Sequence, residues 1–103
     1  MIRHIVLYAF KDDLSESQIE QVFISIGKLS EVTEIKSYSW GKCNSRENLN
    51  KEFTHGFCME FASEQARENY LTHPRHEELV ANILLPLLAD GAKSTIVFDY
   101  LIK

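Results

Sequence analysis

Four histidines and one tyrosine hold most of the chemistry this chain can offer: His4, His55, and the tight group Tyr70, His73 and His76. An imidazole ordinarily titrates near neutrality, so it can take or return a proton at physiological pH. A tyrosine hydroxyl beside it can hydrogen-bond the oxygen on which charge develops. A zinc reading asks for HExxH or a Cys/His cluster, and neither is present. His73 and His76 stand three apart, but His73 precedes Pro74 and is biased away from helical geometry, so capping a helix suits it better than binding a metal. We expect no metal and no cofactor. Cys43 and Cys58, with no CxxC pair, are expected as free thiols.

Those side chains need elements to position them. From Ile2 to Phe10, apolar residues fall on both alternating faces, as in a strand covered on two sides. Ser15 with Gln18 three places later marks a helix start, and Ile19, Val22, Phe23, Ile26 and Leu29 make its buried stripe. Thr33 to Trp40 alternates as a half-buried second strand, and the polar run Lys42 to Glu52 reads as a surface loop. Phe53 to Phe61 returns to period two, with His55, Phe57 and Met59 on one face and Gly56, Cys58 and Glu60 on the other. Ser63 caps a second helix running to Tyr70 or Leu71. Pro74 starts another, with Leu79, Ile83 and Leu87 on its apolar side and Pro86 shortening its end. Ser94 to Leu101 is the last strand, with Ile96, Phe98 and Tyr100 against Thr95, Val97 and Leu101.

The order βαββαβ predicts an α+β fold, ferredoxin-like, with one antiparallel sheet under helices and a single domain over residues 1–103. Helices cover only one face of such a sheet, yet several strands are apolar on both. A second copy of the chain is the simplest cover, so we expect a homodimer through the face opposite the helices. His4 and His55 fall on the helix-facing side among large apolar groups, where a histidine needs a partner or a polar pocket. Eleven Lys and Arg against fifteen Asp and Glu leave a net charge of -4, which argues against nucleic acid and anionic membranes as partners. The start lacks a signal-peptide pattern, and we read the chain as cytoplasmic.

Several segments carry a resemblance: His4-Ile5-Val6-Leu7-Tyr8-Ala9-Phe10-Lys11, Tyr38-Ser39-Trp40-Gly41, Phe53-Thr54-His55-Gly56-Phe57, Tyr70-Leu71-Thr72-His73-Pro74-Arg75-His76 and Val97-Phe98-Asp99-Tyr100. Together they resemble the stress-responsive dimeric A/B barrel proteins over nearly the whole chain. The resemblance implies a ferredoxin-like subunit and a homodimeric barrel. Many such proteins have no assigned reaction, whereas a plant cyclase among them performs an aldol condensation without a cofactor, using a tyrosine and a histidine. Those positions correspond to Tyr70 and His76, its pocket histidines to His4 and His55, and its apolar wall to Tyr8, Phe23 and Phe57. Two departures stand out: Ile26 occupies the place of a second tyrosine, and Tyr8 that of a leucine. The expectation is a pocket between sheet and helices for a small apolar or carbonyl-containing ligand. The alternative is a cofactor-free cyclase or lyase abstracting a proton next to a carbonyl, with His76 as base.

Overall fold

The computed structural model describes residues 1–103. Strand β1 spans Ile2–Tyr8, β2 Ser37–Lys42, β3 His55–Phe61 and β4 Thr95–Leu101. They form one antiparallel sheet in the order β2-β3-β1-β4, so β1 and β3 are central. Helix α1 (Glu16–Gly27) follows β1, and α2 (Glu64–Leu71) and α3 (Pro74–Leu79) follow β3. This is the ferredoxin-like βαββαβ arrangement. No helix is long and apolar enough to cross a membrane.

The local signals act as their chemistry dictates. The Ser15 hydroxyl accepts from the Gln18 backbone N–H, and the Gln18 side chain accepts from the Ser15 N–H, completing a capping box. At the α2–α3 break Pro74 occupies the first turn, and His73 is the N-cap, its Nδ1 accepting from the Arg75 N–H at 3.1 Å. His73 thus caps α3, as its place before Pro74 predicts.

The elements differ from the periodicity in several places: β3 starts at His55 rather than Phe53, β2 runs on to Lys42, and three further differences stand out. Phe10 is not part of β1 but pairs singly with Leu88. The second strand begins at Ser37, later than Thr33. The third difference bears on the site: after α3 the chain passes into a π-helical turn, Val80–Leu84, and then a 3-10 turn, Leu85–Leu87, around Pro86. A wider turn brings the next inward side chain at i+5, so Leu84 follows Leu79 into the core while Ile83 is 45% exposed. The expected stripe of Leu79, Ile83 and Leu87 is thus corrected to Leu79, Leu84 and Leu88.

Inward side chains of β1 and β3 alternate with outward ones along their whole length, and α1 lays Ile19, Val22, Phe23 and Ile26 onto them. Phe23 has no exposed surface and touches the rings of Tyr8, Phe57 and Trp40, lying flat on Trp40 at 4.6 Å. Truncating it to alanine should cost about 3–5 kcal/mol, a large share of the roughly 5–15 kcal/mol typical of such a domain. Urea unfolding of Phe23→Ala reads this as a lower midpoint at unchanged slope.

The outer sheet face is uneven. Ile5 and Leu7 on β1 pair across to Phe98 and Ile96 on β4, whereas β3 offers Gly56, Cys58 and Glu60. The uncovered apolar surface is therefore concentrated on β1 and β4, with Phe98 62% and Ile96 42% exposed.

Candidate active site

Alternation along β1 sends His4, Val6 and Tyr8 toward the helices. The register sets Val97 and Asp99 of β4 beside them on one flank and Phe57 on the other. The α2–α3 break brings Tyr70 and His76 over His4, with ring centroids 4.5 Å apart for Tyr70–His76 and 6.0 Å for His4–Tyr70. The π-helical and 3-10 turns supply Val80, Leu84 and Leu85 as a roof. Between roof and sheet lies a mainly apolar cavity of about 340 Å³.

Hydrogen bonding defines what each polar group presents. His76 Nδ1 lies 3.1 Å from the Leu71 carbonyl oxygen, which can only accept, so Nδ1 carries the proton. Nε2 is left as the nitrogen with a free lone pair. Burial holds the His76 pKa below the ordinary histidine range, with the Leu71 carbonyl opposing and the charge of His4 adding to the shift. The lowered pKa favours the neutral imidazole at physiological pH. Burial likewise pushes the Tyr70 and Tyr8 hydroxyls far above the ordinary phenol range, so both remain protonated donors. Neither hydroxyl is hydrogen-bonded by a protein group, and both residues line the cavity.

His4 has a partner that the sequence reading missed. Its Nδ1 lies 2.7 Å from Asp99 Oδ1, and Asp99 Oδ2 accepts from Arg67 at 3.2 Å. The carboxylate accepts from His4 Nδ1–H, which leaves Nε2 without a protein partner. A signal existed: Asp99 is the acidic residue on the inward face of β4, between Val97 and Leu101.

The structure brings together Tyr70, His76, His4, Tyr8 and Phe57, and leaves His55 and Phe23 outside the cavity lining. His55 pairs with Tyr8, not with His4, so the two imidazoles sit four residues apart along the strand direction, about 13 Å. Both His55 nitrogens are also engaged: Nε2 lies 3.3 Å from Glu16 Oε2 and Nδ1 2.8 Å from Thr54 Oγ1. The Glu16 carboxyl is held below the usual carboxylate range, first by His55 and then by Lys42. Phe23 supports Tyr8 and Phe57 from behind. Nowhere do three or more His, Cys, Asp or Glu side chains come close enough to share a metal ion.

The lowered His76 pKa has a consequence for stability. Below the ordinary histidine range the unfolded chain binds this proton before the folded one does. Stability from this group is therefore full above that range and declines as the pH falls through it. Wild type should lose more thermal stability over that interval than His76→Gln, and an equal loss in both would contradict the shift.

The chain is thus a ferredoxin-like sheet under helices, with histidines and tyrosines converging on an apolar cavity. The chain belongs to the stress responsive A/B barrel domain family, whose family model matches residues 2–102. It is 36% identical over 100 residues to the stress-response A/B barrel domain-containing protein HS1 of Arabidopsis thaliana, covering 96% of this chain and 87% of that one. It is 28% identical over 76 residues to olivetolic acid cyclase of Cannabis sativa, covering 73% and 75%. Among solved structures, a hydroxynitrile lyase from Passiflora edulis superposes with a TM-score of 0.83 at 28% identity, over 99% of this chain and 93% of that one. A protein of unknown function from Thermobifida fusca, described as dimeric and ferredoxin-like, superposes with a TM-score of 0.76 at 27% identity, over 98% and 90%.

Proposed function

We propose that the cavity binds a small, mainly apolar molecule bearing a carbonyl group, and that the chain works as a homodimer joined through the sheet face opposite the helices. The observation that carries the binding reading is the set of unpartnered polar atoms around one apolar space. Two phenol hydroxyls and two imidazole Nε2 atoms, all on residues lining the same cavity, make no hydrogen bond to a protein group. A ligand oxygen accepting from Tyr8 or Tyr70, with an apolar remainder under Leu84 and Leu85, meets both demands. The dimer reading is supported by the exposed Phe98 and Ile96 and by the dimeric description of the Thermobifida protein.

The His76 tautomer favours a second reading, cofactor-free proton transfer next to the carbonyl. Neutral Nε2 takes a proton from the carbon beside the carbonyl, and the C–H electron pair moves through the new C=C bond onto oxygen. The Tyr70 hydroxyl then hydrogen-bonds that enolate oxygen, and protonated His76 returns the proton at the end. His4, aligned by Asp99, orients the ligand. A cyclase or a lyase differs in what the carbanion-like intermediate does next, and two similar proteins carry those names.

Binding is tested by titrating benzylacetone, a small flexible ketone with an apolar phenyl tail, while following methyl resonances. Shifts concentrated at Leu84, Leu85 and Val97 are the expected result. Shifts scattered over the surface, or none at millimolar ligand, would sink the reading.

A further inference from the structure

The cavity has a charge character that its hydrophobic lining conceals. Of its fourteen lining residues ten are hydrophobic, and the other four are His4, His76, Thr95 and Asp99; no lysine or arginine is among them. The one acidic group facing the ligand space is the Asp99 carboxylate, and it is already paired, with Arg67 at 3.2 Å and with His4 Nδ1 at 2.7 Å. Its two oxygens are used by His4 and Arg67, which holds the carboxylate on this wall rather than letting it swing outward. Arg67 pairs with Asp99 and is not among the cavity-lining residues, so its charge is spent on Asp99 rather than offered to a ligand.

Resting on the carbonyl-ligand reading above, we propose that the cavity selects uncharged ligands and that Asp99 is the residue that turns carboxylates away. A carboxylate entering this space would leave water, meet apolar side chains, and lie beside a fixed carboxylate that already engages the nearest cation, Arg67. A neutral carbonyl loses far less hydration and gains a hydrogen bond from Tyr8 or Tyr70. His76 offers no rescue, since burial keeps it neutral at physiological pH. The ligand class that follows is a neutral ketone, aldehyde or hydroxy-carbonyl compound with an apolar body; its free acid counterpart is excluded.

Three near-isosteric probes separate the contributions in the full-length protein: benzylacetone, hydrocinnamate and butylbenzene, with affinities measured by ligand-observed NMR. Wild type should bind benzylacetone at least roughly tenfold more tightly than hydrocinnamate, the scale of a carboxylate that leaves water without gaining a cation of its own. Butylbenzene should fall between them, because it is neutral but leaves the hydroxyls unpaired. Asp99→Asn retains an oxygen to accept from His4 Nδ1–H, removes the charge and frees Arg67, so the ketone-to-carboxylate ratio should collapse toward unity. Equal or tighter binding of hydrocinnamate by wild type would overturn charge selection while leaving the cavity as a ligand site. A ratio unchanged in folded Asp99→Asn would overturn the assignment to Asp99. Binding of none of the three would overturn this proposal together with the carbonyl-ligand reading. The wild-type comparison stands even where the variant does not fold.

Discussion

Replacing Phe98 by aspartate should turn a two-chain particle into a folded single chain. Phe98 is 62% exposed on the outer sheet face and pairs across to Ile5, with Ile96 and Leu7 one step along the same face. An aromatic side chain buries about 150–250 Å² when covered, so this group dominates any contact formed there. In a two-fold dimer the substitution acts twice, placing two carboxylates against apolar surface at a cost of several kcal/mol. Sedimentation at micromolar concentration should show twice the 11.9 kDa chain mass for wild type and the single chain mass for Phe98→Asp. Ile83→Asp is the control: Ile83 is 45% exposed on the helical layer, and that variant should still sediment as a dimer. A wild type that sediments as a monomer would remove the assembly from the proposal.

His76→Gln should abolish any acceleration of proton exchange at the carbon next to a bound carbonyl. Positioned general-base catalysis is worth about a hundredfold to ten-thousandfold, and glutamine has no lone pair basic enough to replace it. Deuterium incorporation into benzylacetone, followed by NMR in heavy water, reads this directly. Tyr70→Phe should retain binding and the base but lose the hydrogen bond to the enolate, lowering the rate about a hundredfold or more. Because the folded protein holds the His76 pKa below the ordinary range, wild-type exchange should persist at mildly acidic pH and fall only as that lowered pKa is crossed. Wild type that binds the ketone with no exchange above buffer would leave a binding pocket without catalysis. A rate equal in wild type and His76→Gln would exclude His76 as the base.

Asp99 and His55 show what the linear chain reveals about this site. His55 reads as a companion of His4, since both point inward from strands adjacent in the sheet. Antiparallel register separates them, because the pairing that joins Ile2 to Phe61 carries His55 up to Tyr8. The same kind of register brings Asp99 opposite His4, ninety-five positions away in the chain. Alternation places Asp99 on the inward face but does not say which residue stands across from it, since period two specifies a residue's face and not its neighbour on the next strand.

Short-range chemistry alone determined the elements. The Ser15–Gln18 capping box, the Pro74 helix start, the helical stripe from Ile19 to Leu29 and the alternation around Phe57 each depend on residues within a few positions of one another. From these the βαββαβ order and the placing of Tyr70 and His76 at one break follow directly. Folding in three dimensions decided the rest: the π-helical turn that exchanged Ile83 for Leu84, the His4–Asp99–Arg67 chain, and the cavity that takes Tyr8 and excludes His55. Those depend on strand register and on packing of the α3 segment over the sheet. Such contacts form between residues far apart in the chain, so their energies leave no periodic trace along it.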